Sequence, residues 1–227
     1  MNYRLSAVYL IVIIFVSCVG QNNTLFIPEP DFSIYNESEK IIEISNIIET
    51  KDGAGIRGLP NWLLSYIEGG IEAVERLDSY RDKYVFISVN EGDNFTALNK
   101  WIENFSPAHD FPILAAARID KRIISSASLY PDNEYGMFYE AIIKNAYSSE
   151  YPGAVKEDTY WMKVWFEREN TWEYTENYKF FVLITINKTA MQNIIRNMFS
   201  RSIGTVSVTV NQNNSINRLR QTFFERF

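Results

Sequence analysis

The chain has 227 residues, 46% of them hydrophobic and 15% aromatic. That composition excludes global disorder and supplies one sizeable core. The formal net charge of −6 argues against non-specific nucleic-acid binding, and against attachment to anionic lipid by charge alone. One cysteine and one histidine exclude a disulfide framework and a zinc site built from several such ligands.

In chain order, Arg4 precedes an apolar run at residues 5–16, followed by Ser17-Cys18-Val19-Gly20 and the polar Gln21-Asn22-Asn23. A basic start, a short apolar core and a small-residue exit form a secretory signal. Cys18 at the exit suggests a bacterial lipoprotein, with residues 1–17 removed and Cys18 acylated. Cleavage after Gly20, which discards Cys18, is the rival reading. An uncleaved anchor is the third, on a run shorter than the ~20 residues that span a bilayer comfortably.

Residues 18–58 are expected to be an N-terminal tether. Isoleucines 41, 42, 44, 47 and 48 fit neither the helical nor the strand period, although a short element is compatible with them. Gly53-Ala54-Gly55-Ile56-Arg57-Gly58 matches G-x-G-x-x-G. A dinucleotide site would need a buried strand before it and a helix opening at the glycines. Neither is evident, so the segment is taken as a hinge.

A globular domain is expected over residues 59–227. Pro60 opens a helix with Leu63, Tyr66, Ile67, Val74 and Leu77 at helical spacing, weakened at Gly69-Gly70. Residues 84–89 read as a strand ending in an Asn90-Glu91-Gly92-Asp93 turn, and residues 95–105 as a short helix. Two further helices follow, opened by Phe111-Pro112 and Pro131-Asp132, the second stopped by Pro152-Gly153. Residues 160–167 alternate as a strand, and residues 178–186 form a nearly continuous apolar strand expected at a sheet centre. A helix with Met191, Ile194, Ile195 and Met198 inward comes next. Residues 205–210 alternate as a strand, and residues 215–227 fit a final helix. The fold class is therefore α+β, a small antiparallel sheet with several helices packed against it.

The order Leu59-Pro60-Asn61-Trp62, Val89-Asn90-Glu91-Gly92, Ala115-Ala116-Ala117-Arg118-Ile119, then 151–161 (YPGAVKEDTYW) and a strand closing in Asn187-Lys188 resembles treponeme-type (spirochaete) envelope lipoproteins. More distantly it resembles small surface lipoproteins of the LPP-twenty type. The likeness covers roughly residues 59–200. It implies helices on one face of a small antiparallel sheet and an outer-membrane, periplasmic or surface location, and it transfers no activity.

Candidate chemistry is sparse. His109, in Pro107-Ala108-His109-Asp110, suits a helix start better than a triad, because no G-x-S-x-G elbow accompanies it. Glu91-Gly92-Asp93-Asn94 resembles half a calcium loop without its twelve-residue spacing. Carboxylate pairs at Glu157 and Asp158 beside Trp161, or Glu167 and Glu169 beside Trp165 and Trp172, have the composition of a glycosidase site. An amphipathic strand edge has the same composition. Six Asn-x-Ser/Thr triplets, at Asn22, Asn36, Asn94, Asn104, Asn187 and Asn213, are expected by chance in an Asn-rich chain.

The aromatic density around residues 160–181 is the more informative feature. With Met162, Val164 and Phe166 inward, Trp161 and Trp165 lie on the opposite sheet face, where helices cover them or a partner does. Trp161, Trp165, Trp172 and Tyr174 are thus the candidate partner or ligand surface, and Cys18 the lipid attachment. The expected role is structural or protein-binding, non-enzymatic and cofactor-free, at the cell envelope. Membrane attachment is through the lipid, and the partner is an envelope protein or glycan. The alternative is a periplasmic small-molecule or saccharide-binding module using the same aromatic face.

Overall fold

The computed structural model describes residues 44–55, 58–127, 136–167, 174–205 and 210–227, all within one compact unit, Ser33–Phe227. In chain order they form strands β1 (Ile47–Thr50) and β2 (Gly53–Ala54), helix α1 (Asn61–Glu75), strand β3 (Lys83–Gly92), and helices α2 (Phe95–Asn104), α3 (Pro107–Ala127) and α4 (Gly136–Ser148). Strands β4 (Val155–Glu167) and β5 (Tyr174–Asn187) follow, then helices α5 (Lys188–Thr205) and α6 (Val210–Arg226). The strands make one antiparallel sheet in the order β2-β1-β4-β5-β3. The fold is α+β.

Strand β5 lies inside the sheet because its side chains can be dry on both faces. Phe181 and Leu183 join Trp62, Leu63, Tyr66 and Val74 of α1, whereas Val182, Ile184 and Ile186 point into the α3–α6 layer. Residues 180–184 are all fully buried. Burying each such aliphatic or aromatic side chain contributes about 1.5–3 kcal/mol, so this strand anchors both layers. Helices therefore cover both faces, which corrects the one-faced arrangement implied by the resemblance.

Polar side chains start three of the helices. Asn94 Oδ1 accepts from Ala97 N at 3.0 Å and caps α2. Asn187 Oδ1 accepts from Thr189 N and Ala190 N and turns β5 directly into α5. At the start of α3, Asp110 Oδ2 accepts from Ser106 N at 2.7 Å. Such caps satisfy amide donors that the first helical turn leaves open, each for about 1 kcal/mol. Two of the sequon asparagines, Asn94 and Asn187, thus have a structural task.

Several expectations need correction. Residues 47–50 and 53–54, placed in the tether, are sheet: Thr50 pairs with Met162, Glu49 with Lys163 and Ile47 with Val164, with a bulge between Ile47 and Glu49. The G-x-G-x-x-G segment begins in that hairpin, where Gly55 N donates to Ile48 O at 3.1 Å. Gly58 has φ +93, and a Cβ there would stand 2.7 Å from Asp52 Cβ. Hairpin geometry, not phosphate binding, accounts for glycine at that position. Asn90, Glu91 and Gly92, read as a turn, extend β3 and pair with Phe180, Lys179 and Tyr178. The helix expected from Phe111 starts earlier, at Pro107. The strand expected at 205–210 is not seen where its ends are described: Thr205 closes α5 and Val210 opens α6; residues 206–209 lie outside the described residues.

Candidate functional site

Alternation along β4 sorts its side chains onto two faces. Tyr160, Met162 and Val164 are buried against α1. Trp161, Lys163 and Trp165 therefore project to the other side, the arrangement expected from the sequence. There Trp161 meets three rings. Phe95, the first residue of α2, stands edge-on to Trp161, Tyr178 and Phe180 at 5.2, 5.2 and 5.3 Å between centroids. Trp161 and Phe180 stack with an interplanar angle of 22°. Edge-to-face contacts of this kind add about 0.5–1.5 kcal/mol each beyond burial.

Phe95 thus packs against both Trp161 and Phe180, and it remains 36% exposed itself. Helix α2 packs over this part of the sheet. Lys163 is bonded to Glu176 on β5, its ammonium 5.8 Å from the Tyr178 ring centre. Trp165 is half-buried and registers opposite Glu176. The result is an aromatic surface with a charged rim, continuous across β4, β5 and the start of α2. Phe95 enters the sequence analysis only as the first residue of a short helix and not as part of the aromatic surface. Its only sequence signal is the capping Asn94 immediately before it.

The other candidates fall elsewhere. Tyr174 begins β5 opposite Glu167; the Tyr174 side chain, Trp172, Glu169 and Cys18 lie outside what is described. His109 is exposed in the first turn of α3. Glu91 is paired with Lys179 at 2.8 Å and Asn94 caps a helix, so the half-calcium-loop residues serve the fold.

The Glu157–Asp158 pair is displaced from Trp161. A register shift between Lys156 and Asp158 makes Glu157 an extra residue in β4, and a bulge re-aims side chains locally. Both carboxylates turn toward α1. Glu157 Oε1 receives Lys83 Nζ at 2.7 Å and Thr185 Oγ1 at 2.6 Å. Asp158 Oδ2 receives Trp62 Nε1 at 2.8 Å, and its other oxygen Thr159 N at 2.7 Å. The Lys83 and Thr185 hydrogen bonds hold the Glu157 carboxyl below the usual range, while the same pair raises Lys83. Burial, then the Glu157 charge, pushes the neighbouring Tyr80 phenol up. A general acid needs a raised carboxyl pKa, so Glu157 is tuned the wrong way for that task. The group is a structural clamp between β4, β5, β3 and α1.

Comparison of the chain with known protein families, characterised proteins and solved structures finds no match.

Proposed function

We propose that the chain is a bacterial cell-envelope lipoprotein, non-enzymatic, held to the membrane through acyl chains on Cys18. Its folded head docks an envelope protein through the aromatic surface of β4, β5 and α2. The export and anchoring part rests on the signal-like order of residues 4–20. The docking part rests on one observation: Phe95, Trp161 and Tyr178 pack over the buried Phe180 as a partly exposed surface with a charged rim. A desolvatable aromatic centre inside a polar border is the anatomy of a protein interface, and Trp and Tyr are its usual energetic anchors.

Placing a photo-crosslinking amino acid at Trp165 in the native envelope tests this reading, with Ile124, 55% exposed on α3, as the control position. The proposal expects a discrete protein adduct from position 165 and none from position 124. Glycan adducts alone, or identical products from both positions, contradict it.

A further inference from the structure

The charge of the chain is unevenly distributed. Residues 188–227 contain six basic side chains (Lys188, Arg196, Arg201, Arg218, Arg220 and Arg226) and one acidic, Glu225, a balance of +5. Residues 1–187 contain the other 16 basic and 27 acidic side chains, a balance of −11, and the two sum to the overall −6. Net charge alone argues against an anionic surface as partner. The distribution reverses that for one face.

Helices α5 and α6 hold this basic segment on the outside of the layer that covers the sheet. They meet through Phe199 against Phe223 and Phe224. Arg196, Arg201 and Arg218 are exposed and Arg220 half-exposed. Arg196 donates to Asn193 Oδ1 at 3.1 Å and lies 5.4 Å from the Phe224 ring centre, bridging the two helices. Five cations elsewhere are paired with carboxylates, Arg81 with Asp78, Lys83 with Glu157, Arg118 with Glu75, Lys163 with Glu176 and Lys179 with Glu91, whereas Lys51 and Lys156 bond backbone carbonyls. Among the described residues, Arg196, Arg201, Arg218 and Arg220 have no carboxylate partner. A guanidinium without a carboxylate keeps its planar fork of donors free for phosphate oxygens.

We infer that the outward surface of α5 and α6 rests on anionic phospholipid headgroups, fixing which way the head faces the bilayer. A planar lipid surface touches this face alone. At the ~10 Å Debye length of ordinary salt, the acidic remainder of a domain roughly 30–40 Å across is largely screened from it. A long flexible polyanion would instead meet the acidic remainder as it wrapped. The inference goes beyond the proposed anchor and aromatic docking surface, and the vesicle measurement below needs no acylation.

The test is co-sedimentation of the full, unacylated chain with vesicles of phosphatidylcholine alone or mixed with phosphatidylglycerol, at low and high salt. Any contribution from residues 5–16 is common to every arm. Binding should rise with phosphatidylglycerol and fall with salt, and Arg196→Gln/Arg201→Gln/Arg218→Gln should weaken the anionic-dependent part about a hundredfold. Circular dichroism checks that the variant is folded. If it is not, Asn197→Lys/Asn217→Lys decides, with an expected gain of about tenfold or more. Equal binding to both vesicle types, an undiminished folded triple variant, or no gain from the added lysines overturns the inference. Binding to RNA or an anionic polysaccharide without binding to vesicles also overturns it.

Discussion

The Glu75 carboxylate and the Arg118 guanidinium meet at 2.9 Å across the free edge of β3. Glu75 Oε1 also accepts from Val85 N at 2.9 Å, and Arg118 Nη1 donates to Val85 O at 2.9 Å. Together the two side chains bond the donor and acceptor that a neighbouring strand would otherwise take, as edge strands require. Glu75 comes from α1 and Arg118 from α3, on opposite faces of the sheet, so the pair straps both helical layers around one edge. Arg118 also lies against the rings of Tyr84, Phe86 and Phe227.

Removing one partner leaves the other half-buried and the Val85 carbonyl without its donor. Arg118→Met should therefore cost about 1–3 kcal/mol, and Glu75→Gln less, since an amide oxygen still accepts from Val85. Urea denaturation gives the difference. Equal, near-zero effects for both variants would show that the strap does not support the fold.

Gly70 divides α1, with φ +66 and ψ −166 inside the helical span. An added Cβ meets nothing within 4 Å, so Gly70→Ala isolates the backbone cost, about 1–3 kcal/mol for this glycine-dependent region. Thermal melting of the variant measures it. A stabilised Gly70→Ala protein would mean that α1 runs unbroken.

The lowered pKa of Glu157 makes stability pH-dependent in a definite direction. Its folded value lies below the ordinary 4.5, so the folded state binds fewer protons than the unfolded chain. The stabilisation is complete above that ordinary value and disappears as pH falls through the folded one. Glu157→Gln should therefore be less stable than the native sequence at neutral pH, with the gap closing in acid below about pH 4. Denaturation midpoints at several pH values give the profile, and a gap that widens in acid would reverse the sign argued here.

Phe95→Ala removes three ring contacts from a partly exposed side chain. A loss of about 1–2 kcal/mol is expected, below the ~3–5 kcal/mol of a fully buried phenylalanine. Trp161 gains water, so the emission of the folded protein should shift to the red. An unchanged spectrum would mean that Phe95 does not shelter the indole.

The parts legible in the sequence are those where one pattern dominates. The central place of β5 follows from its unbroken apolar run, and the two-faced sorting of Trp161 and Met162 from period-two alternation. Strand β1 was illegible because it has four residues and a bulge at Ile48, so its isoleucines cannot alternate. The run at 205–210 has strand composition, yet the residues at its two ends are helical, Thr205 closing α5 and Val210 opening α6. The Glu157–Asp158 site was misplaced because a bulge reverses facing by one residue and leaves no mark in the sequence. Phe95 was missed because the ring cluster it completes is assembled from elements some 65 to 85 residues apart in the chain.

Intact-mass spectrometry of the native protein tests the proposed anchoring most directly. The account predicts a chain beginning at Cys18 and carrying two or three acyl groups. A mature chain beginning at Gln21, or one that retains Met1 and the apolar leader, would contradict it.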